Sequence, residues 1–398
     1  MAHRFGLWLA TASALAAQQE TAPQRFERLM KDLLIVDTHI DTPWHIVDEG
    51  YDMGVENSYY ETDLPRLRRG RFGALFFGVP AQPQDQPPHL WVERTLDLID
   101  AVHETARRYP GEMEVAYTPA DIRRLHRQGK IAALISIEGG HQIQDDLRIL
   151  RNYYRLGVRY MTLTHFRTNN WADSGTDRAV HNGLSGFGRQ VVREMNRLGM
   201  MIDISHVSDK TFYDALEVSR SPVIASHSSV RALCDIPRNM SDEMLRALAK
   251  NGGVIFINFS VAYLDPKASQ VFTGYRDQRD REIADLMLQQ AGNPKRFELK
   301  RAIQQRYRRM LPAVDYRAAL RHIDHVAKLV GADHVGLGSD FDGISGMVPE
   351  GLEDVSKFPV LVRGLIEMGY SDQDIRKIMG ENLLRVMERN EEVARSWK

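Results

Sequence analysis

Cysteine is nearly missing from this chain of 398 residues: Cys234 is the only one. No internal disulfide can form, so the cysteine count does not separate an oxidising compartment from a reducing one. An excess of charge is missing too. The chain carries 52 basic and 53 acidic residues, a formal charge of −1. That balance gives neither nucleic acid nor an anionic membrane a reason to bind. The short basic runs at 66–71 and 305–310 read as solvated helix or loop surface. Long apolar runs are absent as well. Beyond the N-terminus no stretch reaches about 20 apolar residues, so no membrane span is expected. The first residues, MAHRFGLWLATASALAAQQ, place Arg4 before a short apolar stretch ending in Ala14, Leu15 and Ala16. This fits a signal peptide over 1–17, cleaved near Ala16 or Ala17, and export to the periplasm or beyond; without it the protein would be cytoplasmic.

What is present is an ordinary globular balance, 43% hydrophobic and 26% charged, enough to fill a core. Eight short apolar runs recur along the chain, at 33–41, 72–80, 131–140, 158–165, 199–206, 222–229, 252–260 and 334–343. Most are continuously apolar, as strands buried on both faces should be. Amphipathic stretches separate them. Those at 146–157 and 187–199 end on Gly157 and Gly199, which tolerate the backbone that stops a helix. Those at 208–220 and 241–252 open on serine caps, and 371–390 reads as a long helical region with a glycine inside. Eight strand–helix alternations imply an α/β fold, a (β/α)8 TIM-like barrel in one domain over 18–398, with helical insertions. The insertions are a helix pair at about 89–130 and an Arg-rich helical segment at about 265–314, beside the barrel or over its mouth.

The runs end in ionisable residues. The first, LLIVDTHID, carries His39 and Asp41 two positions apart, on one face of a strand and about 6–7 Å from each other along it. The third ends in Glu138, the fourth in His165, the fifth in His206, the sixth in His227, and the eighth in Asp340 and Asp342. In a barrel the strand C-termini converge on one rim, where active sites sit. A lone histidine at such a place is usually a hydrogen-bonded structural residue. Four of them with carboxylates, crowded into one mouth, would cost many kcal/mol without a compensating cation. The set therefore reads as a metal site. His and carboxylate donors suit Zn²⁺, and also Mn²⁺, Co²⁺ or Fe²⁺. The group is too large for one four-coordinate ion. Two ions about 3.5–4 Å apart, bridged by one carboxylate and holding a hydroxide, use it better. Glu138 is the natural bridge, since Gly139 and Gly140 after it allow backbone and metal to approach closely.

The motifs VDTHIDTPW, SIEGGHQI, LTHFRTNNWADS, DISHVSD, SHSSVRALCDIPRNMSDE, GGVIFINFS, HVGLGSDFDG and GENLLRVMERN run in order from residue 33 to residue 390. Together they closely resemble the membrane (renal) dipeptidase family of zinc peptidases. The resemblance implies a dipeptidase with two Zn²⁺ per chain, one held by His39 and Asp41, the other by His206 and His227, with Glu138 bridging. It implies that His165 contacts substrate and stabilises the oxyanion. Arg238 would pair with the dipeptide carboxylate, and Asp340 would be the acid–base residue. It also implies a homodimer, by analogy. The chain lacks the disulfide cysteines and lipid-anchor tail of the animal members, and so is similar to the soluble bacterial type. His45, His141 and Asp342 read as supporting or structural, Trp171 as loop packing, Tyr263 as a pocket-lining residue and Cys234 as a buried thiol. The loops at 44–63, 81–90 and 165–182 are expected to shape the side-chain pockets. The alternatives are hydrolysis of another small carboxylate-bearing amide (an N-acyl-amino acid or a β-lactam) and a non-catalytic binding protein.

Overall fold

The computed structural model describes residues 20–81 and 87–397; the expected leader at 1–17 lies outside them. Nine strands form one parallel sheet: β1 (Ile35–Ile40), β2 (Phe72–Pro80), β3 (Met113–Val115), β4 (Ile131–Glu138), β5 (Val158–Thr162), β6 (Met201–Asp203), β7 (Ile224–Ser228), β8 (Val254–Ile257) and β9 (Val335–Leu337). Eight of them follow one another in the order β1-β2-β4-β5-β6-β7-β8-β9, while β3 pairs only with β4, off this path. A parallel bridge between Ile40 and Phe341 brings the end of the series back to β1. The result is the (β/α)8 TIM-like barrel that the alternation of runs predicts.

Alternate residues along the strands enter different packing layers. On β2, Ala74 and Phe76 join Val36, Leu134, Tyr160, Met201, Ile224 and Val254 from the other strands and fill the barrel. Leu75, Phe77 and Val79 belong to the layer between the strands and the surrounding helices. Both faces are buried, which is why the runs are continuously apolar. Leu383, Leu384 and Met387 of the helix Asn382–Arg395 pack into the interior cluster. The expected caps are present. Ser208 and Ser241 accept backbone N–H bonds at the starts of the helices Asp209–Val218 and Asp242–Asn251, and Gly199 ends Gly186–Leu198 at φ +79°.

Two expectations need correction. The helix pair at 89–130 holds the helices Trp91–Arg108 and Pro119–Arg127, but β3 lies between them. Three residues are too few to carry a period, and pairing with β4 is what makes them a strand. The strands are also shorter than the apolar runs. β5 stops at Thr162, β6 at Asp203 and β9 at Leu337, so His165, His206 and Asp340 sit on the loops just beyond. The segment at 265–314 is helical as expected, over Pro266–Gln289 and Arg296–Arg308. It leans on the helix that follows β1, Thr42–Glu49, and on the loop that leaves β9: Arg301 Nη1 donates to Glu49 Oε2 (2.6 Å), Lys300 lies over Trp44, and Gln304 donates to Ser345. No helix among the described residues is long and apolar enough to cross a membrane.

Candidate metal centre and active site

The rim brings the predicted donors together. His39, Asp41 and Glu138 form one buried group and Glu138, His206 and His227 another; within each, one donor atom per residue lies within 4.8 Å of the others. Glu138 belongs to both. Its Oε1 is 3.6 Å from His39 Nε2, 3.1 Å from His206 Nε2 and 3.2 Å from His227 Nε2. His39 and Asp41 are closer than two positions of an extended strand would place them. The chain leaves β1 at Asp41, which turns to φ −96°, ψ 20° ahead of the helix Thr42–Glu49, and the carboxylate swings to 3.5 Å from His39 Nε2. A third grouping joins Asp340 to His39 and His227, so Asp340 stands within reach of the other donors.

The rings are set up to donate lone pairs. Tyr160 gives its only hydroxyl hydrogen to Thr38 O (2.8 Å), so it accepts from His39 Nδ1 at 2.7 Å, which leaves His39 Nε2 free to ligate. The same arrangement recurs across the barrel. Ser226 Oγ donates to Asp203 Oδ2 (2.6 Å) and so accepts from His227 Nδ1 (2.8 Å). His227 Nε2 then faces His206 Nε2 at 2.8 Å. Burial first, then the charges of Arg238 and the neighbouring histidines, hold His206 well below the ordinary imidazole range. His227 is held down by burial, then by His39 and Arg238. Both rings are neutral, the form that binds metal.

The carboxylates show the opposite strain. Burial and then the charge of Asp41 push Glu138 well above its ordinary range and Asp340 up to about 7. His39 Nε2 and Asp41 Oδ1 are buried without a hydrogen bond among the described residues. Lone pairs converging at about 3 Å, orphaned buried acceptors and mutually repelling carboxylates are what a divalent cation would relieve. The residues present fit a metal.

Two further predicted residues lie beside this cluster. His165 is buried, with Nε2 3.5 Å from Glu138 Oε2 and Nδ1 unpartnered. Burial, then the charges of His141 and Arg238, keep it neutral. Arg238 is only 6% exposed. It donates to His227 O (3.0 Å) and Ser228 Oγ (3.4 Å), and its Nε has no hydrogen-bond partner among the described residues. Tyr263 supports it, with the guanidinium carbon 5.4 Å from the ring centroid.

The chain belongs to the membrane dipeptidase family, peptidase family M19. The family's model matches residues 23–398. A dipeptidase, tcpJ, of Claviceps purpurea is 37% identical over 369 residues, which cover 89% of this chain and 76% of the relative. Among solved structures, the probable dipeptidase PvdM of Pseudomonas aeruginosa superposes with a TM-score of 0.80 at 30% identity, covering 94% of this chain and 99% of that one. A metallopeptidase of Rhodobacter sphaeroides, liganded with a phosphinate mimic of the dipeptide L-Ala-D-Ala, gives 0.73 at 25% identity, covering 90% and 99%. The protein is thus a metallodipeptidase with a metal cofactor.

Other parts of this dipeptidase's rim behave as expected or differ in reason. His141 bonds Ala81 O and burial pushes it down to about 4, a structural role. His45 spans Glu49 Oε1 (2.9 Å) and Asp342 O (3.2 Å), and Asp342 accepts from Glu61 N and Thr42 Oγ1; both brace the loops. Trp171 is fully buried, and Cys234 is a buried thiol pushed up to about 11 by burial. The glycines after Glu138 are hemmed in by rings, His141 at Gly139 and Trp171 at Gly140. Gly139 has φ +107°, and a Cβ there would lie 2.5 Å from the His141 ring. Two glycines are pressed against predicted ligands: Gly343, where a Cβ would come within 2.0 Å of Asp41 Oδ2, and Gly78, where it would lie 2.6 Å from Asp41 Oδ1 and 3.0 Å from the His39 ring. Three residues that carry side chains hold left-handed backbone at the rim: His206 (φ 66°), Asp340 (φ 64°) and Asp342 (φ 66°).

Asp37 and Asp203 escape the sequence reading. Asp37 accepts from the backbone N–H groups of His39 (3.1 Å) and Ser339 (2.9 Å) and so ties the loop carrying Asp340 to β1. Asp203 accepts from Ser226 N and Oγ, Ser205 N and Thr162 Oγ1. The only signal is an acid inside an otherwise apolar run. Ser226→Ala should remove the group that fixes the His227 tautomer and lower metal affinity by about 10–100-fold, read by titrating the apoprotein with metal. Unchanged affinity would mean that the ring needs no such orientation.

Proposed function

We propose that this metallodipeptidase hydrolyses dipeptides with two zinc ions, one on His39 and Asp41, the other on His206 and His227, with Glu138 shared. Residues 18–398 would be a single catalytic barrel and 1–17 a leader removed on export. The observation that carries the reading is Arg238: a buried guanidinium with no carboxylate at ion-pair distance among the described residues, beside a cluster built for cations. An unpaired buried charge is costly, and the carboxylate of a small substrate would satisfy it through a planar, forked contact. A dipeptide would place its scissile carbonyl near the cluster once its C-terminus is held there; in a longer peptide the carboxylate lies elsewhere.

His39, Asp41, Glu138, His206 and His227 would hold the metal, which when bound would supply acidification of water and polarisation of a carbonyl. The chain's own residues do the rest. Arg238 holds the C-terminal carboxylate. Neutral His165 offers an N–H to the oxygen that gains charge as the carbonyl becomes tetrahedral. Asp340, steadied by Asn258 Nδ2 at 2.8 Å, takes the water proton and returns it to the leaving amine. Asp340→Asn keeps the Asn258 contact but cannot carry the proton. It should lower kcat by about 10²–10⁴-fold while metal content holds. Near-normal turnover would move the proton carrier elsewhere.

The reading is tested by counting metal in the purified protein while assaying L-Ala-L-Ala, L-Ala-D-Ala, bulkier dipeptides, a tripeptide, an N-acyl-amino acid and a β-lactam. Dipeptide cleavage with two ions per chain and none of the tripeptide is expected. Two ions with cleavage of the N-acyl-amino acid or the lactam alone would keep the site and change the substrate.

A further inference from the structure

Phe166 is an exposed aromatic where a polar loop side chain would be unremarkable. It is 41% exposed, yet its ring centroid lies 4.4 Å from that of His165 and 4.8 Å from that of His206. Among the described residues, no other exposed large apolar side chain makes ring contact with the histidines of the cluster. The loop that carries it is held firmly. Ser174 Oγ donates to His165 O (2.7 Å), Thr176 Oγ1 to Phe166 O (3.0 Å), and Thr168 N to Asp177 Oδ2 (3.0 Å). The ring is therefore presented in place, not left loose over the mouth.

Its position relative to the substrate follows from its neighbours. Arg238 is bonded to the backbone of His227 (3.0 Å), whose Nε2 faces His206 Nε2 at 2.8 Å, and Phe166 lies against the His206 and His165 rings. A short chain of contacts thus joins the Arg238 guanidinium to Phe166. We propose that Phe166 is the wall that receives the side chain of the C-terminal residue of the dipeptide, so that the enzyme favours bulky apolar residues there. The inference rests on Arg238 holding the C-terminal carboxylate. A half-exposed phenyl ring leaves apolar surface in water, and a leucine or phenylalanine side chain laid on it removes area from both partners. Glycine at that position covers nothing.

The test uses the metal-loaded enzyme and a series L-Ala-X, with X as Gly, Ala, Leu, Phe, Asp or Lys. The wild type should give higher kcat/KM for X as Leu or Phe than for Gly. Phe166→Ala should lower kcat/KM for Leu and Phe about tenfold, mainly through KM, with L-Ala-Gly within twofold and metal content unchanged. Phe166→Leu, which keeps an apolar wall, should retain most of the preference. An equal loss on every substrate would make Phe166 a mere support for His165 and His206, and an unchanged Leu-to-Gly ratio would place the wall elsewhere; either overturns the proposal. Failure of the wild type to cleave any dipeptide would overturn the site assignment beneath it, and is read before any variant is compared.

Discussion

Replacing Glu138 with glutamine is expected to abolish the proposed dinuclear centre. Its Oε1 stands within 3.6 Å of three histidine nitrogens, and the side chain is shared by both donor groups. The amide is nearly isosteric, so the fold should survive. What it loses is the negative charge that two cations would share and the second equivalent oxygen. At least one ion per chain should be lost, and turnover should fall by about 10³-fold or more. Metal counted by mass spectrometry in the folded variant, beside its dipeptidase rate, decides the matter. Two ions retained at full occupancy would sink the bridging role.

The second large effect is at Arg238. Removing one partner of a buried, hydrogen-bonded charge pair costs about 2–5 kcal/mol, and each ~1.4 kcal/mol is tenfold. Arg238→Ala should therefore lower kcat/KM for free dipeptides by about a hundredfold or more, with the loss chiefly in KM. Dipeptides amidated at the C-terminus offer no anion to clamp and should be poor substrates of both proteins, at similar rates. Lysine at 238 should rescue little, because a point charge cannot reproduce the fork. If the variant weakens amidated and free dipeptides alike, the guanidinium supports the site and does not read the substrate.

Most of the barrel was legible because its strands are buried on both faces and so stand out as apolar runs. The proposed ligands were legible for a related reason. His39, Glu138, His206 and His227 break those runs at their C-terminal ends, and barrel geometry carries such ends to one rim. What stayed hidden depends on partners distant in sequence. Asp203 reads as an acid inside an apolar run, and the approach of Thr162 and Ser226 from the strands on either side gives it work to do. Asp37 becomes meaningful through Ser339, about 300 positions away in the chain. β3 exists because β5 pairs with β4 only from Ile135 onward, which leaves Ile131–Ala133 open to it. At Gly139 the ring that excludes a side chain belongs to His141, two positions on, and the run of glycines does not announce it. Phe166, one apolar residue in a polar loop, has no periodicity to announce it.

The left-handed backbone at His206, Asp340 and Asp342 has an evolutionary consequence. Each position would be relaxed by glycine, since the conformation costs a residue with a side chain about 1–2 kcal/mol. Selection for heat resistance alone would drift there first, and at His206 and Asp340 every gain in melting temperature would delete a group that the proposed chemistry needs. The rim is where durability and catalysis compete, and side chains persisting there measure how strongly turnover has been favoured over endurance.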